Sequence, residues 1–243
     1  MTKLFNAYFN RLSKWTIFRI MLLVAFICGI PAALVMYFAK VPEFDIPYTV
    51  SYYFFPQYIG ILIGLFNYPL FTNGTIRNQI SVGHKRSSIY FADWAASNAF
   101  SVSLYILFLV SSFTVNAILS DNLKDSISVS AVLASALLCT VQIIFYSTIT
   151  QLFCITLKGV KSFLAIYLGN QVIDIIGLII STMALNNKVS EKILVFFPTS
   201  ACMNFCSSEK ISKYFLPSLL IMAAETLIIY ICGSRYFRKT DLN

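Results

Sequence analysis

The sequence predicts an all-helical integral membrane protein, and two observations carry this prediction. Of the 243 residues, 58% are hydrophobic and only 12% are charged, whereas a soluble domain carries about a quarter charged residues. Long uncharged stretches also recur along the chain, and each approaches the roughly 20 residues that a helix needs to cross a membrane. Because they lack the alternating pattern of membrane β-strands, each is expected to be helical.

Six apolar stretches are long enough to be transmembrane helices: residues 15–39, 49–71, 89–119, 128–157, 163–185 and 214–233. With six spans, both termini lie on one side of the membrane, and that side receives twelve of the 18 Lys and Arg residues. Cytoplasmic loops are enriched in these residues, so this side is predicted to be cytoplasmic. The basic residues form no run longer than two, so the net charge of +8 does not indicate nucleic-acid binding.

Residues 1–14, ahead of the first span, have the pattern of an amphipathic helix. Basic and amide side chains separate apolar residues at helical spacing, namely Leu4, Phe5, Tyr8, Phe9 and Leu12. Such a helix is expected to lie in the cytoplasmic interface of the membrane. It could be an anchor only, or it could take part in coupling to a partner.

Residues 193–208 are uncharged but too short to span, and Pro198 interrupts them. They are predicted to form a re-entrant hairpin between spans five and six, buried against protein or a water-filled cavity. A loop lying on the outer surface fits the same pattern. Cys202 and Cys206 stand four residues apart here, which is compatible with a disulfide or with two buried thiols.

Several kinds of chemistry are not supported by the sequence. A phosphate-binding P-loop requires a Gly-Lys pair, and the chain contains none. His84 is the only histidine, so neither a zinc site nor a metalloprotease motif can be built. We therefore expect no enzyme activity and no cofactor in this chain.

The first cytoplasmic loop, residues 72–88, carries a short helical pattern. Thr75 is placed to cap its start, Ile76 and Ile80 share one face, and Gly83 is placed to close it before a basic cluster. The pattern predicts a helix whose two isoleucines dock in a partner's groove. A solvated basic turn that only fixes the topology is the alternative.

Two ionisable residues are assigned to the interior of the predicted spans, Asp174 in the fifth and Glu225 in the sixth. Asn170 shares a polar face with Asp174. These groups could attract a cationic substrate, or the two acids could be protonated and bonded to neighbouring helices. Other polar residues of the third and fourth spans are expected to join helices by hydrogen bonds: Asn98, Ser101, Gln142, Thr148 and Gln151.

The loop Gly74-Thr75-Ile76-Arg77-Asn78, followed by Gly83 and Arg86, together with the basic ending Phe237-Arg238-Lys239 and the topology, resembles the permease subunits of type-2 ABC exporters. The resemblance implies an interfacial helix, six spans and a re-entrant hairpin. It also implies a coupling helix seated on a separate ATPase, with these residues in contact: Thr75, Ile76, Arg77, Asn78, Ile80, Gly83 and Arg86. The loop lacks an acidic residue that some relatives carry, so no salt bridge to the ATPase is transferred.

The resemblance further implies a dimer of two permeases, the second being the same chain or a paralogue, and two ATPase subunits that bind ATP and Mg²⁺. It places the complex in a bacterial plasma membrane and predicts export of an amphipathic substrate, such as an antimicrobial or toxic peptide. The alternative is a stand-alone ion-coupled carrier or channel, in which Asp174 and Glu225 would be the coupling sites.

Overall fold

The computed structural model describes residues 2–39, 45–119, 129–157, 160–184, 192–205 and 211–239, and the regular structure in these ranges is helical. In chain order the helices are α1 (Thr2–Lys14), α2 (Thr16–Ala39), α3 (Asp45–Thr72), α4 (Thr75–Ser81), α5 (Arg86–Leu119), α6 (Val129–Leu157), α7 (Val160–Ala184), a 3₁₀ turn (Leu194–Phe196), α8 (Pro198–Phe205) and α9 (Ile211–Lys239).

The membrane character of the chain lies in its long apolar helices. By length and composition, four stretches of the described residues could cross a membrane: Thr16–Leu34, Arg86–Leu119, Val132–Leu157 and Lys213–Lys239. A fifth arises if Tyr58–Leu70 and Thr75–Ser81, which are bent by 53°, count as one span, and Tyr167–Ile180 is a shorter apolar helix. The predicted all-helical membrane class is confirmed in this coarser form, with four or five span-like helices where the sequence predicts six.

Helix α6 lies at the centre of the bundle and packs against α3, α5, α7 and α9, while α2 runs along α5. The buried core combines aliphatic side chains with a group of aromatic rings, of which those of Phe55 and Phe108 are 5.0 Å apart. Lipid tails are as apolar as the core, so close packing rather than the hydrophobic effect must hold such helices together. The well-packed α6 therefore forms the frame on which the polar clusters described below are built.

Helix α1 confirms the predicted amphipathic helix but divides its apolar face in two. Leu4, Tyr8 and Leu12 are buried against the protein's own helices, and the helix lies on α5 and α2. The ring of Phe9 is 42% exposed and stacks on Phe5 at 5.5 Å. One stripe of α1 is thus used for docking on the bundle, and only the other remains for lipid.

Two glycines in the left-handed conformation delimit α4. Gly74 has φ of 66° and precedes the helix, and Gly83 has φ of 95° just beyond its end. Gly83 closes the helix as predicted, because a left-handed residue there lets the chain turn away. The predicted capping role of Thr75 is wrong, since Thr75 is the first helical residue and no side chain caps this end.

Residues 192–205 are helical on both sides of a break at Phe197. Pro198 is the first residue of α8, a position where its missing N–H costs nothing. The 3₁₀ turn and α8 together contact α3, α6, α7 and α9. Cys202 is buried, and Cys206 lies outside the described residues.

Candidate functional site

The two isoleucines of α4 face the protein itself. Ile76 is only 5% exposed, and Ile80 packs against the same cluster of buried side chains from α1, α5, α6 and α9. The hydroxyl of Tyr8 in α1 also donates to Oε1 of Gln79 at 3.1 Å. The chain's own bundle therefore covers Ile76 and part of Ile80, whereas docking of this loop on a partner stays a prediction.

The opposite face of α4 is the one exposed to solvent. It carries Arg77, Asn78 and Ser81, and it ends on Val82, whose side chain is 79% exposed. His84 follows and is exposed as well. This exposed valine beside polar groups is a small apolar surface that the end of α4 offers to another molecule.

The C-terminal end of α9 is joined to the start of α5. A guanidinium N–H of Arg86 donates to the carbonyl oxygen of Arg238 at 3.2 Å. The buried ring of Phe237 lies 5.9 Å from that of Tyr90. The basic ending of the chain and the end of the loop at residues 72–88 are brought together in this way.

A buried carboxyl that sequence reasoning missed lies near these elements. Asp93, in α5, is only 6% exposed, and its Oδ2 accepts a hydrogen bond from Nε2 of Gln151 in α6 at 2.9 Å. The acid interacts electrostatically with Arg11 of α1. Its second oxygen, Oδ1, is buried without a hydrogen-bond partner among the described residues.

Arg11 fastens α1 to the bundle in two further ways. Its Nη2 donates to the carbonyl oxygen of Phe66 at 2.7 Å, and its guanidinium lies 4.7 Å from the centre of the Phe66 ring. Burial lowers the pKa of Arg11 from its ordinary value, whereas the carboxyl of Asp93 acts in the opposite direction. Burial raises the pKa of Tyr8, so this phenol remains a neutral donor to Gln79.

Asp174, predicted to lie inside a span, belongs to a second polar cluster. Its Oδ1 is 2.8 Å from the hydroxyl of Tyr146 in α6 and 2.7 Å from that of Thr199 in α8. These two hydroxyls are themselves 2.7 Å apart, and Nε2 of Gln142 donates to Thr199 at 3.1 Å. The predicted hydrogen bonding of Asp174 to neighbouring helices is confirmed.

Beside this cluster, α7 and α8 approach each other closely. A Cβ atom built at Gly177 would lie 2.2 Å from Oγ of Ser200, so a larger residue there would require this hydroxyl to rotate away. Tyr146, Thr199 and Cys202 are all less than 5% exposed. The cluster is therefore enclosed by packed helices on the side of α6 and α8.

The other two predicted substrate-path residues do not join the Asp174 cluster. Glu225 in α9 is half-buried, and its Oε2 has no hydrogen-bond partner among the described residues. The side chain of Asn170 lies outside the described part of the chain. A shared cationic site built from all three residues is thus not supported.

The polar residues predicted to join helices divide into two groups. Gln142 and Gln151 bond to other elements, and Thr148 accepts from Nε1 of Trp94 in α5 at 2.9 Å. Asn98 and Ser101 instead donate to carbonyl oxygens of their own helix, four residues earlier. The predicted hydrogen bonds between helices are therefore confirmed for the three α6 residues. For Asn98 and Ser101 the prediction is wrong, because their donor groups bond within α5.

Among the described residues, no group of three or more His, Cys, Asp or Glu side chains could hold a metal ion. In comparisons with known proteins, the chain matches no protein-family model, no curated protein and no solved structure.

Proposed function

We propose that the chain is the membrane subunit of an ATP-driven exporter, coupled through α4 to a separate ATPase. The observation that carries the proposal is the arrangement of α4: a short helix fixed between two left-handed glycines, packed on the bundle through Ile76, and exposing Arg77 and Val82. A helix held so firmly by its own chain can transmit a push from a partner without being pulled away. The chain itself would contribute no ATP-binding residues.

The contacts of α4 supply a route for such a push. The helix directly follows α3, and it precedes α5 by a short connection, so displacement of α4 moves the ends of two long helices. The bond between Tyr8 and Gln79 adds α1 to the moving unit. In the complete transporter, two permease chains, identical or paralogous, would each receive one of two ATPase subunits, which bind ATP and Mg²⁺.

The proposal includes six spans and a re-entrant segment at residues 193–208. Support comes from Thr199, whose partners Tyr146 and Asp174 lie near the middle of α6 and α7. A residue bonded at that level has entered the bundle rather than lying on its surface. Helix α7, of which Tyr167–Ile180 is apolar, would be the fifth span.

For the substrate we propose an amphipathic molecule with a cationic group, such as a toxic or antimicrobial peptide. Asp174 and Glu225 are acids within long apolar helices, and Asp174 is only half-buried. An acid at such a position favours the approach of a positive charge. The site would lie in a plasma membrane with both termini cytoplasmic.

Co-purification with an ATPase tests this function. The chain is expressed with the ATPase encoded beside it and extracted in mild detergent, and the stoichiometry of the two proteins is measured. Val82→Asp is expected to reduce the bound ATPase by about tenfold or more, because a charge replaces the exposed apolar contact at the centre of the interface. Ile80→Asp is unsuitable, since it would disturb the chain's own packing.

The matched control is Asn6→Asp, which adds the same charge at an exposed position of α1 outside the coupling loop. It should leave the complex intact. If the unmodified chain binds no ATPase, or if both variants bind it equally well, coupling through α4 is refuted. Transport by the chain alone in liposomes, driven by a proton or sodium gradient, would then support the carrier alternative.

A further inference from the structure

Three oxygens of the Asp174 cluster form a closed ring that needs three hydrogens, one between each pair of oxygens. The ring consists of Asp174 Oδ1, the Tyr146 hydroxyl and the Thr199 hydroxyl, and its three sides measure 2.8, 2.7 and 2.7 Å. Each oxygen pair at this distance requires one hydrogen between its members. The two hydroxyls supply only two hydrogens, because each carries one.

The third hydrogen has one source within the ring, the carboxyl group itself. When Asp174 is protonated, its O–H donates to one hydroxyl, that hydroxyl donates to the other, and the second hydroxyl donates back to the carboxyl oxygen. Gln142 can still donate to Thr199, whose oxygen accepts two hydrogen bonds. With an ionised Asp174, both hydroxyls donate to Oδ1 and their own oxygens face each other at 2.7 Å without a hydrogen between them.

We infer that Asp174 is a proton-binding site and that its bound proton latches α8, the second half of residues 193–205, onto α6 and α7. Loss of this proton breaks one side of the ring and leaves two oxygens in repulsive contact. The segment carrying Thr199 then moves away from α7, beginning at the close contact between Gly177 and Ser200. The latch is closed at low pH and opens as pH rises through the value at which Asp174 loses its proton.

The groups around Asp174 suit such a site. Tyr146 on α6 interacts electrostatically with Asp174 and with Cys202 on α8. Neither α6, α8 nor the 3₁₀ turn contains a charged residue, and the described side chains of α3 between Phe55 and Leu70 are uncharged. On α7 the other charge is Lys161, thirteen residues away and therefore roughly 20 Å along the helix.

Cys202 is a native reporter for the latch, since it lies in α8 three residues after Thr199 and is 0% exposed. In a variant whose other five cysteines are replaced by serine, the rate of its reaction with a small water-soluble thiol reagent is measured from about pH 5 to about pH 9. Asp174→Asn, a neutral analogue of the protonated acid, serves as the reference. At each pH, the rate of the protein that keeps Asp174 is divided by the rate of Asp174→Asn. This ratio is free of the intrinsic pH dependence of thiol reactivity.

The ratio is expected to be close to one at the acid end and to rise by about tenfold or more toward the alkaline end, a change that corresponds to about 1.4 kcal/mol. A ratio that stays constant over the whole range overturns the latch. Should Asp174→Asn fail to fold, Tyr146→Phe takes its place: it removes one oxygen from the ring, and the Thr199 hydroxyl alone supplies the one hydrogen that the remaining pair needs. This reference therefore stays closed at all pH, and the ratio is again expected to be close to one at acid pH and to rise toward alkaline pH.

Infrared spectroscopy tests the bound proton separately. At acid pH, Asp174→Asn should remove one C=O stretching band of a protonated carboxyl, and an unchanged band would show that the acid is ionised and overturn the inference. This inference is independent of the ATPase. A chain that binds no ATPase but shows the pH-dependent ratio would refute the proposed function and leave the latch in place.

Discussion

Replacing Arg11 with methionine is expected to lower the melting temperature of the purified protein by roughly 6 °C or more. The change removes the bond to Phe66 and leaves Asp93 buried without its electrostatic partner. Losing a hydrogen bond from a charged donor costs about 1.5–3 kcal/mol, losing the contact with the Phe66 ring costs about 0.5–1 kcal/mol, and losing the attraction to Asp93 adds up to about 1 kcal/mol. In a chain of this size, 1 kcal/mol corresponds to about 2–4 °C. Because Arg11 is only half-buried, the lower end of each energy range applies.

A double-mutant cycle separates the electrostatic interaction with Asp93 from the other contacts of Arg11. Adding Asp93→Asn to Arg11→Met removes the unpaired acid and keeps an amide that can bond to Gln151, so the double variant should recover half or more of the lost melting temperature. Arg19→Met is the matched control, because exposed Arg19 also donates to a backbone carbonyl, that of Ser13 at 3.0 Å. It should cost about 2 °C at most, in line with exposed contacts.

If the decrease in melting temperature of the double variant equals the sum of the decreases of the two single variants, Arg11 and Asp93 are not coupled. Helix α1 is then held by packing alone. If they are coupled, the consequence extends to the proposed function. Helix α1 then joins α4 to the interior, through Tyr8 and Gln79 on one side and through Arg11 and Asp93 on the other. Variants that break the inner link should retain the ATPase but lose transport.

The positions of the helices could be predicted from sequence because a lipid environment leaves the backbone few choices. Each long apolar stretch must satisfy its own hydrogen bonds, and the predicted limits of the third span, 89–119, lie within α5 (Arg86–Leu119). Gly83 was likewise predictable, since ending a short helix requires a residue that adopts positive φ. These features depend on local chemistry alone.

The orientation of α4 could not be predicted in the same way. Two isoleucines four residues apart specify an apolar face, but nothing local states whether the chain's own bundle or another protein covers it. The structure supplies the answer through Leu4, Tyr8 and Phe237, which come from distant parts of the chain and pack with Ile76. An amphipathic pattern predicts burial, and the identity of the covering surface is a tertiary property.

Asp93 illustrates a different failure. A signal was present, because an acid within the apolar stretch 89–119 is costly and calls for a partner. Its partners Arg11 and Gln151 are far away in sequence, so the pairing itself could not be derived. The Asp174 cluster shows the same limit, since Thr199 reaches it from a segment that the sequence places either inside the bundle or on its surface.

The close contact between α2 and α5 gives the other prediction with a large effect. Small buried residues recur along α2 at a spacing of four, Ala25, Gly29 and Ala33, a pattern that lets membrane helices approach each other. A Cβ atom at Gly29 would lie 1.9 Å from Oγ of Ser111 and 2.6 Å from the backbone oxygen of Phe108. The serine can rotate away, but the backbone oxygen cannot move without separating the two helices.

Gly29→Ala is therefore expected to destabilise the protein by about 1–3 kcal/mol through overpacking, which lowers the melting temperature by roughly 2–10 °C. Gly29→Leu should yield no folded monomer by size-exclusion chromatography in detergent. Gly169→Ala is the matched control, because its Cβ would meet only the ring of Phe153 at 3.3 Å. Both alanines gain the same helix propensity, about 1 kcal/mol, so their difference isolates the clash. A Gly29→Ala protein that melts at or above the control would mean that α2 and α5 do not pack through this contact.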